Sequence, residues 1–297
     1  MLVAIVAVTL TAPDLMAVEQ AYARYLGYHT VERGVVSAEL ARGWDAPAVA
    51  GRSYLLMQPA SGEPVYLRIV QSPVTPGYEP LQTHGWNANE ILVEDPDKLA
   101  EQLRESPFKI IGEPRPLTMN PKVKAMQVIG PANELSYLTR IPPGGSIFDL
   151  GSAKSFVDRT FIVVLGGPDM AAMQAFYGDL LGMKTTPASP AVVNVVNDAN
   201  GLPQDFSIPL GIVQLPKSFL IELDEYPKTT RPRPRRTGDL PPGMAMVTFT
   251  ASAAAGKQLP WVVEPTVREG KPYDGHRVGL LRGGAGELVE VVLSIGE

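Results

Sequence analysis

The chain has 297 residues, which at about 150 residues per domain allows two domains. It is 45% hydrophobic and 19% charged, the composition of a globular protein with a sizeable core. Its net charge of −5 argues against a nucleic-acid surface, and its lack of cysteine excludes disulfides, thiolate nucleophiles and Cys-based metal sites together.

The apolar run Val3 to Leu10 reads as a first strand rather than a leader peptide, because no Lys or Arg precedes it and no A-x-A site follows before Asp14. No apolar run reaches the length of about 18 residues that a membrane span requires. A cytoplasmic protein is expected. Pro13-Asp14 then starts a helix, with the Asp carboxylate placed to accept an N-terminal amide. Leu15, Val18, Tyr22 and Leu26 follow at helical spacing, and Gly27 ends the helix.

This segment recurs. Pro13 to Thr30 (PDLMAVEQAYARYLGYHT) and Pro168 to Thr185 (PDMAAMQAFYGDLLGMKT) align without a gap at an offset of 155 positions. Each copy follows a strand-like run, the second being Phe161 to Leu165. The chain is read as an internal duplication, so corresponding positions can be compared within it.

Further along, Arg52 to Gln58 and Val65 to Val70 predict a hairpin, as do Gly211 to Leu215 and Phe219 to Leu223 in the second half. Each half then starts again. Ala88 to Val93 precedes a helix over Asp97 to Arg104; Met244 to Thr250 precedes a helix over Ala253 to Leu259. The halves end alike, with Gly130 to Leu135 leading into Ser136 to Thr139 and Gly283 to Leu288 leading into Val289 to Leu293. Arg140 to Lys154, rich in Pro and Gly, connects the halves, and Tyr226 to Gly243 joins the third and fourth modules. The resulting division is an N-terminal domain over 1–142, a linker over 143–155 and a C-terminal domain over 156–297, each domain holding two modules.

Four modules of strand, PD-led helix and three strands, closing on Gly-Glu-Leu-x-Glu, resemble the vicinal oxygen chelate superfamily of glyoxalases, extradiol dioxygenases and bleomycin-resistance proteins. The resemblance implies an α+β fold of four βαβββ modules, paired into two incomplete barrels around cups. It also implies divalent-metal ligands on the first and last strand of each module. The positions matching the first-strand ligands are Ala7, Ala88, Ile162 and Ala245; those matching the last-strand ligands are Arg68, Tyr137, Glu222 and Glu290. Two carboxylates without imidazole make a poor metal site, so no tightly bound cofactor is expected. The alternative is Fe, Mn, Ni or Zn held by Glu222, Glu290 and His276.

The leading expectation is an isomerase or lyase moving protons on a small oxygenated, aromatic or carbonyl-bearing metabolite. Glu222 and Glu290 are expected to face each other in the C-terminal cup as bases, with His276 and Tyr273 as acid partners or hydrogen-bond donors. Arg68, Tyr137, Trp44, Tyr54 and Arg282 are expected to contact substrate, with Tyr137 near Arg68. His84 and His29 read as loop residues. The Arg231, Arg233, Arg235 and Arg236 cluster reads as a solvated linker or a phosphate clamp. Competing readings are a non-catalytic small-molecule binder of the resistance type and a metal-dependent lyase or dioxygenase. Either a monomer or a homodimer is expected.

Overall fold

The computed structural model describes residues 1–118, 120–252 and 259–293. Module one contains β1 (Leu2–Ala12), α1 (Leu15–Leu26), β2 (His29–Val35), α2 (Ala38–Gly43), β3 (Ser53–Gln58) and β4 (Tyr66–Gln71). Module two contains β5 (Gly85–Val93), α3 (Pro96–Leu103), β6 (Lys109–Pro116), β7 (Lys124–Ile129) and β8 (Leu135–Arg140). Module three contains β9 (Val157–Gly167), α4 (Met170–Gln174), β10 (Lys184–Thr185), β11 (Ser189–Ala191), α5 (Asn194–Asn200), β12 (Ile208–Leu215) and β13 (Phe219–Glu225). Module four contains β14 (Gly243–Ala251), β15 (Val263–Val267), β16 (Arg277–Arg282) and β17 (Leu288–Leu293). The helix expected over 253–259 falls, apart from Leu259, outside the described residues.

The duplicated helices start as their sequences predict. Asp14 accepts from the Ala17 amide at 3.0 Å and Asp169 from the Ala172 amide at 3.2 Å. Gly27 and Gly182 end the two copies in the left-handed region, at φ 68° and 67°, where a side chain would be strained. The copies differ between these ends: α1 is α-helical throughout, whereas α4 passes into a π turn over Ala175–Leu180.

In every module the last strand returns parallel to the first, giving the pairs β1–β4, β5–β8, β9–β13 and β14–β17. The modules then join through antiparallel first strands, and here the structure corrects the expected domains. β1 pairs with β14 and β5 with β9, so the eight-stranded sheet combines modules one and four and the nine-stranded sheet combines modules two and three. The division at 143–155 separates the halves along the chain but not the sheets. A first strand left unpaired would expose a row of backbone donors and acceptors. Any of the four apolar first strands satisfies that need for another, so periodicity alone leaves the choice of partner open.

The main core lies between the two sheets. Leu10, Val247, Ile91 and Leu165 meet there with Tyr22, Leu26, Leu99 and Tyr177 from the helical layer, all of them buried. Burying each large aliphatic or aromatic side chain contributes about 1.5–3 kcal/mol. Trp86 crosses this layer, donating from Nε1 to the Leu288 carbonyl of the other sheet at 2.8 Å.

Candidate functional site

Strand register sets what each cup contains. Beside one another on neighbouring strands stand Thr9 and Arg68, Thr248 and Glu290, Glu90 and Tyr137, and Val164 and Glu222. The first two pairs belong to the first cup, between modules one and four. The other two belong to the second, between modules two and three. Glu222 and Glu290 therefore sit on different sheets and do not face each other, and Tyr137 is not near Arg68. Both corrections follow from the cross-half pairing.

The first cup is an ion cluster. Glu290 is fully buried and accepts from Arg268 Nη1 at 2.6 Å, Thr248 Oγ1 at 2.6 Å, Trp44 Nε1 at 2.8 Å, Tyr273 Oη at 2.9 Å and Arg68 Nη1 at 3.5 Å. Arg68 lies over the Trp44 and Tyr273 rings, 4.9 and 5.2 Å from their centroids. Burial pushes the Glu290 carboxyl up, but the two guanidinium groups and the two hydroxyls outweigh it and hold it below the usual carboxylate range. A carboxylate held so firmly charged is a poor proton acceptor. Tyr273, already donating to it and raised by burial, is a structural partner of the cluster. Tyr54 donates to Glu32 at the side of this cup.

His276 makes no side-chain hydrogen bond to Glu290. Its ring lines a separate cleft with Asp274 and Val292. Arg282 belongs to neither cup: it pairs with Asp45 at 3.1 Å in a cleft between the sheets.

The second cup opens on a cavity of about 300 Å³, walled by Pro190, Ala191, Val193, Val195 and Leu210, with Arg115 at its exposed mouth. Glu222 and Glu90 line it, as does Tyr137. Glu90 is 7% exposed and accepts from Thr139 Oγ1 at 2.6 Å. Burial and the like charge of Glu222 raise its carboxyl to about 8, and burial raises Glu222 to about 7. Asp224, two residues along the same strand face, is buried with neither carboxyl oxygen bonded, and burial together with Glu222 and Glu90 pushes it well up. Tyr137 Oη and Gln127 Oε1 are likewise buried on the cavity lining without partners. Burial and the surrounding acids raise the Tyr137 phenol well above its ordinary value, so it stays a donor.

Glu90 and Asp224 are site residues that the sequence reading missed. Their signal was available: each stands two residues from a matched ligand position, Ala88 and Glu222, on a strand where alternate residues share a face.

No protein-family model matches the chain. No curated protein matches it either. Solved structures do. A single-residue variant of glyoxalase I from Zea mays superposes with TM-score 0.64 at 15% identity, covering 97% of this chain and 93% of that one. Unsubstituted glyoxalase I from Zea mays gives TM-score 0.61 at 15% identity, over 97% and 91%. A candidate dioxygenase from Bacillus subtilis gives 0.59 at 10% identity, over 99% and 86%. The chain has the vicinal oxygen chelate fold.

Members of the vicinal oxygen chelate superfamily hold a divalent metal at the first- and last-strand positions. The residues at those positions here do not fit one. In the first cup the one carboxylate at a matched position, Glu290, is committed to two guanidinium groups, and in the second no imidazole accompanies the acids. Among the described residues, no group of three or more His, Cys, Asp or Glu side chains has the geometry to hold a metal ion. The alternative ligand set is dispersed: Glu222 and Glu290 stand on different sheets, and His276 lines a cleft that includes neither.

Proposed function

We propose that this chain is an isomerase or lyase of the vicinal oxygen chelate type whose chemistry takes place in the second cup, between modules two and three. The supporting observation is the pair Glu90 and Glu222, two carboxyl groups close enough to oppose each other's ionisation on an apolar cavity that also presents the unpartnered Tyr137 hydroxyl. Like charges at close range keep one carboxyl protonated while the other ionises. One fold position thus supplies both a base and an acid at neutral pH.

In this reading the Glu222 carboxylate takes a proton from a carbon adjacent to a substrate carbonyl. The Tyr137 hydroxyl donates to the oxygen that becomes the enolate, and protonated Glu90 returns a proton to the neighbouring carbon or to a leaving group. Arg115 at the mouth suits a substrate with an anionic end, and the Pro190–Val195 wall suits an apolar body. No step uses a metal. Screening α-protonated carbonyl compounds for exchange of that proton with deuterium oxide tests the proposal. Exchange should fall by about 10²–10⁴-fold in Glu222→Gln. Exchange undiminished in that variant overturns the assignment, whichever substrate reports it.

A further inference from the structure

Outside both cups, a cleft of about 310 Å³ lies where the two sheets meet under the connector of residues 226–243. It shares no lining residue with either cup. Arg233, Arg235 and Arg282 line it together. Connector arginines usually project into solvent, but Arg233 and Arg235 are only half-exposed. Arg233 is packed inward, donating from Nη1 to the Met244 carbonyl at 2.8 Å and from Nε to Thr83 Oγ1 at 3.2 Å, with its guanidinium 5.2 Å from the Tyr78 ring centre. Its Nη2 is buried and has no hydrogen-bond partner. Arg235 donates to the Asp239 carbonyl through Nε and to the Asp45 carbonyl through Nη2, at 2.8 Å for the latter, so its Nη1 remains uncommitted.

The charges do not balance. Among the described residues, Asp45 is the one carboxylate paired with these groups, at 3.1 Å from Arg282 Nη2. Glu287, the other acid on the lining, has its oxygens bonded to Tyr177 Oη and the Ala285 amide, and burial raises its carboxyl. Asp239 is paired with Arg52. Three guanidinium groups against Asp45 leave two positive charges in excess, or one when Glu287 is also ionised. Burial and Arg282 depress Arg235 more than Asp45 and Asp239 raise it, and burial and Arg233 both depress His84. Like charges brought together and partly desolvated are unfavourable without a counter-charge. A buried guanidinium nitrogen without an acceptor adds its own desolvation cost. A bound dianion relieves both, because guanidinium forks match the oxygens of a phosphoryl group.

We propose that this inter-sheet cleft binds the phosphoryl group of a small phosphate ester, with Arg233, Arg235 and Arg282 as its cationic contacts. A carboxylate supplies one charge and two oxygens where the site offers up to two excess charges and two uncommitted guanidinium nitrogens, Arg233 Nη2 and Arg235 Nη1, so a phosphoryl group is the better complement.

The test is isothermal titration of the full chain at constant ionic strength with three probes: inorganic phosphate, methyl phosphate and acetate. Phosphate and methyl phosphate should bind saturably and at least tenfold more tightly than acetate. Arg235→Gln and Arg282→Gln, both changes at partly exposed side chains, should each weaken phosphate binding at least fivefold. Arg277→Gln, outside the cleft, should bind like the parent. Arg235→Lys keeps the charge without the fork and should bind between the parent and Arg235→Gln. The proposal is overturned if neither phosphate probe binds saturably, if acetate binds as tightly as phosphate, or if the doubly substituted Gln variant binds like the parent.

Discussion

Tyr22 donates a 2.6 Å hydrogen bond to the fully buried carboxylate of Glu134, and Tyr177, its match in the duplication, donates to Glu287 at 2.9 Å. Each tyrosine lies in the helical region after a first strand, and each glutamate lies in the turn before the last strand of the next module. Within each half these bonds join modules that belong to different sheets. Strand pairing joins the halves, and the tyrosine–glutamate pairs join the sheets, so the four modules are tied in a closed circuit.

Tyr22→Phe should therefore destabilise the chain by about 1–3 kcal/mol, because it removes a donor from a buried carboxyl while leaving the packing intact. Tyr177→Phe should cost a similar amount. The two losses should add in the double variant, since the pairs share no side chain. Urea unfolding of the three variants checks this.

Stability should depend on pH in a defined direction. Burial raises the Glu134 carboxyl to about 7, against about 4.3 for an unfolded glutamate. A group whose folded value is raised gives its full stability below the unfolded value and loses it as pH rises through the folded one. Glu90, Glu222 and Asp224 act in the same direction. Glu290 is depressed and acts oppositely, losing its contribution only as pH falls below the usual carboxylate range. Urea midpoints should peak at about pH 4 and decline from there toward pH 8. Glu134→Gln should flatten part of that decline.

Glu290→Gln should separate stability from turnover. It leaves Arg68 and Arg268 buried without their counter-charge, a loss of about 3–5 kcal/mol for a broken buried pair. Turnover per folded molecule should stay within about twofold of the parent, since the first cup carries no step of the proposed reaction.

In the second cup, kcat/KM should follow a bell against pH, rising as the carboxyl pair loses its first proton near about 7 and falling as it loses the second near about 8. Glu90→Gln should leave the rising limb in place, because Glu90 is still protonated and neutral when Glu222 ionises and burial alone raises Glu222, and should remove the falling one. A profile that is flat from pH 5 to 9 in the parent would contradict the pair as acid and base.

Local chemistry made much of the fold legible. Asp14 and Asp169 act as caps, Gly27 and Gly182 as helix stops, and the expected hairpins fall at β3–β4 and β12–β13, because each depends on residues within a few positions of one another. Glu222 was legible as a half-buried acid on an apolar strand. Glu290 was too, but its role was not: Arg268, which neutralises it, lies at no position that a repeat comparison singles out. Arg282 was expected to contact substrate in a cup and lies between the sheets instead, because the turn after β16 packs against module three.

By itself the sequence determined the first and last strands of the four modules, the leading helices of the first three, the duplication and the acids Glu222 and Glu290, since hydrophobic period, capping and turn chemistry act over a few residues; α2 and α5 were not read from it. Which modules share a sheet was decided only by tertiary structure. Four apolar first strands of similar length can satisfy one another's hydrogen bonds in more than one pairing, and packing of the whole chain selects among them. That selection brought Glu222 and Glu90 to the lining of one cavity and placed Glu290 between two arginines as a fixed anion.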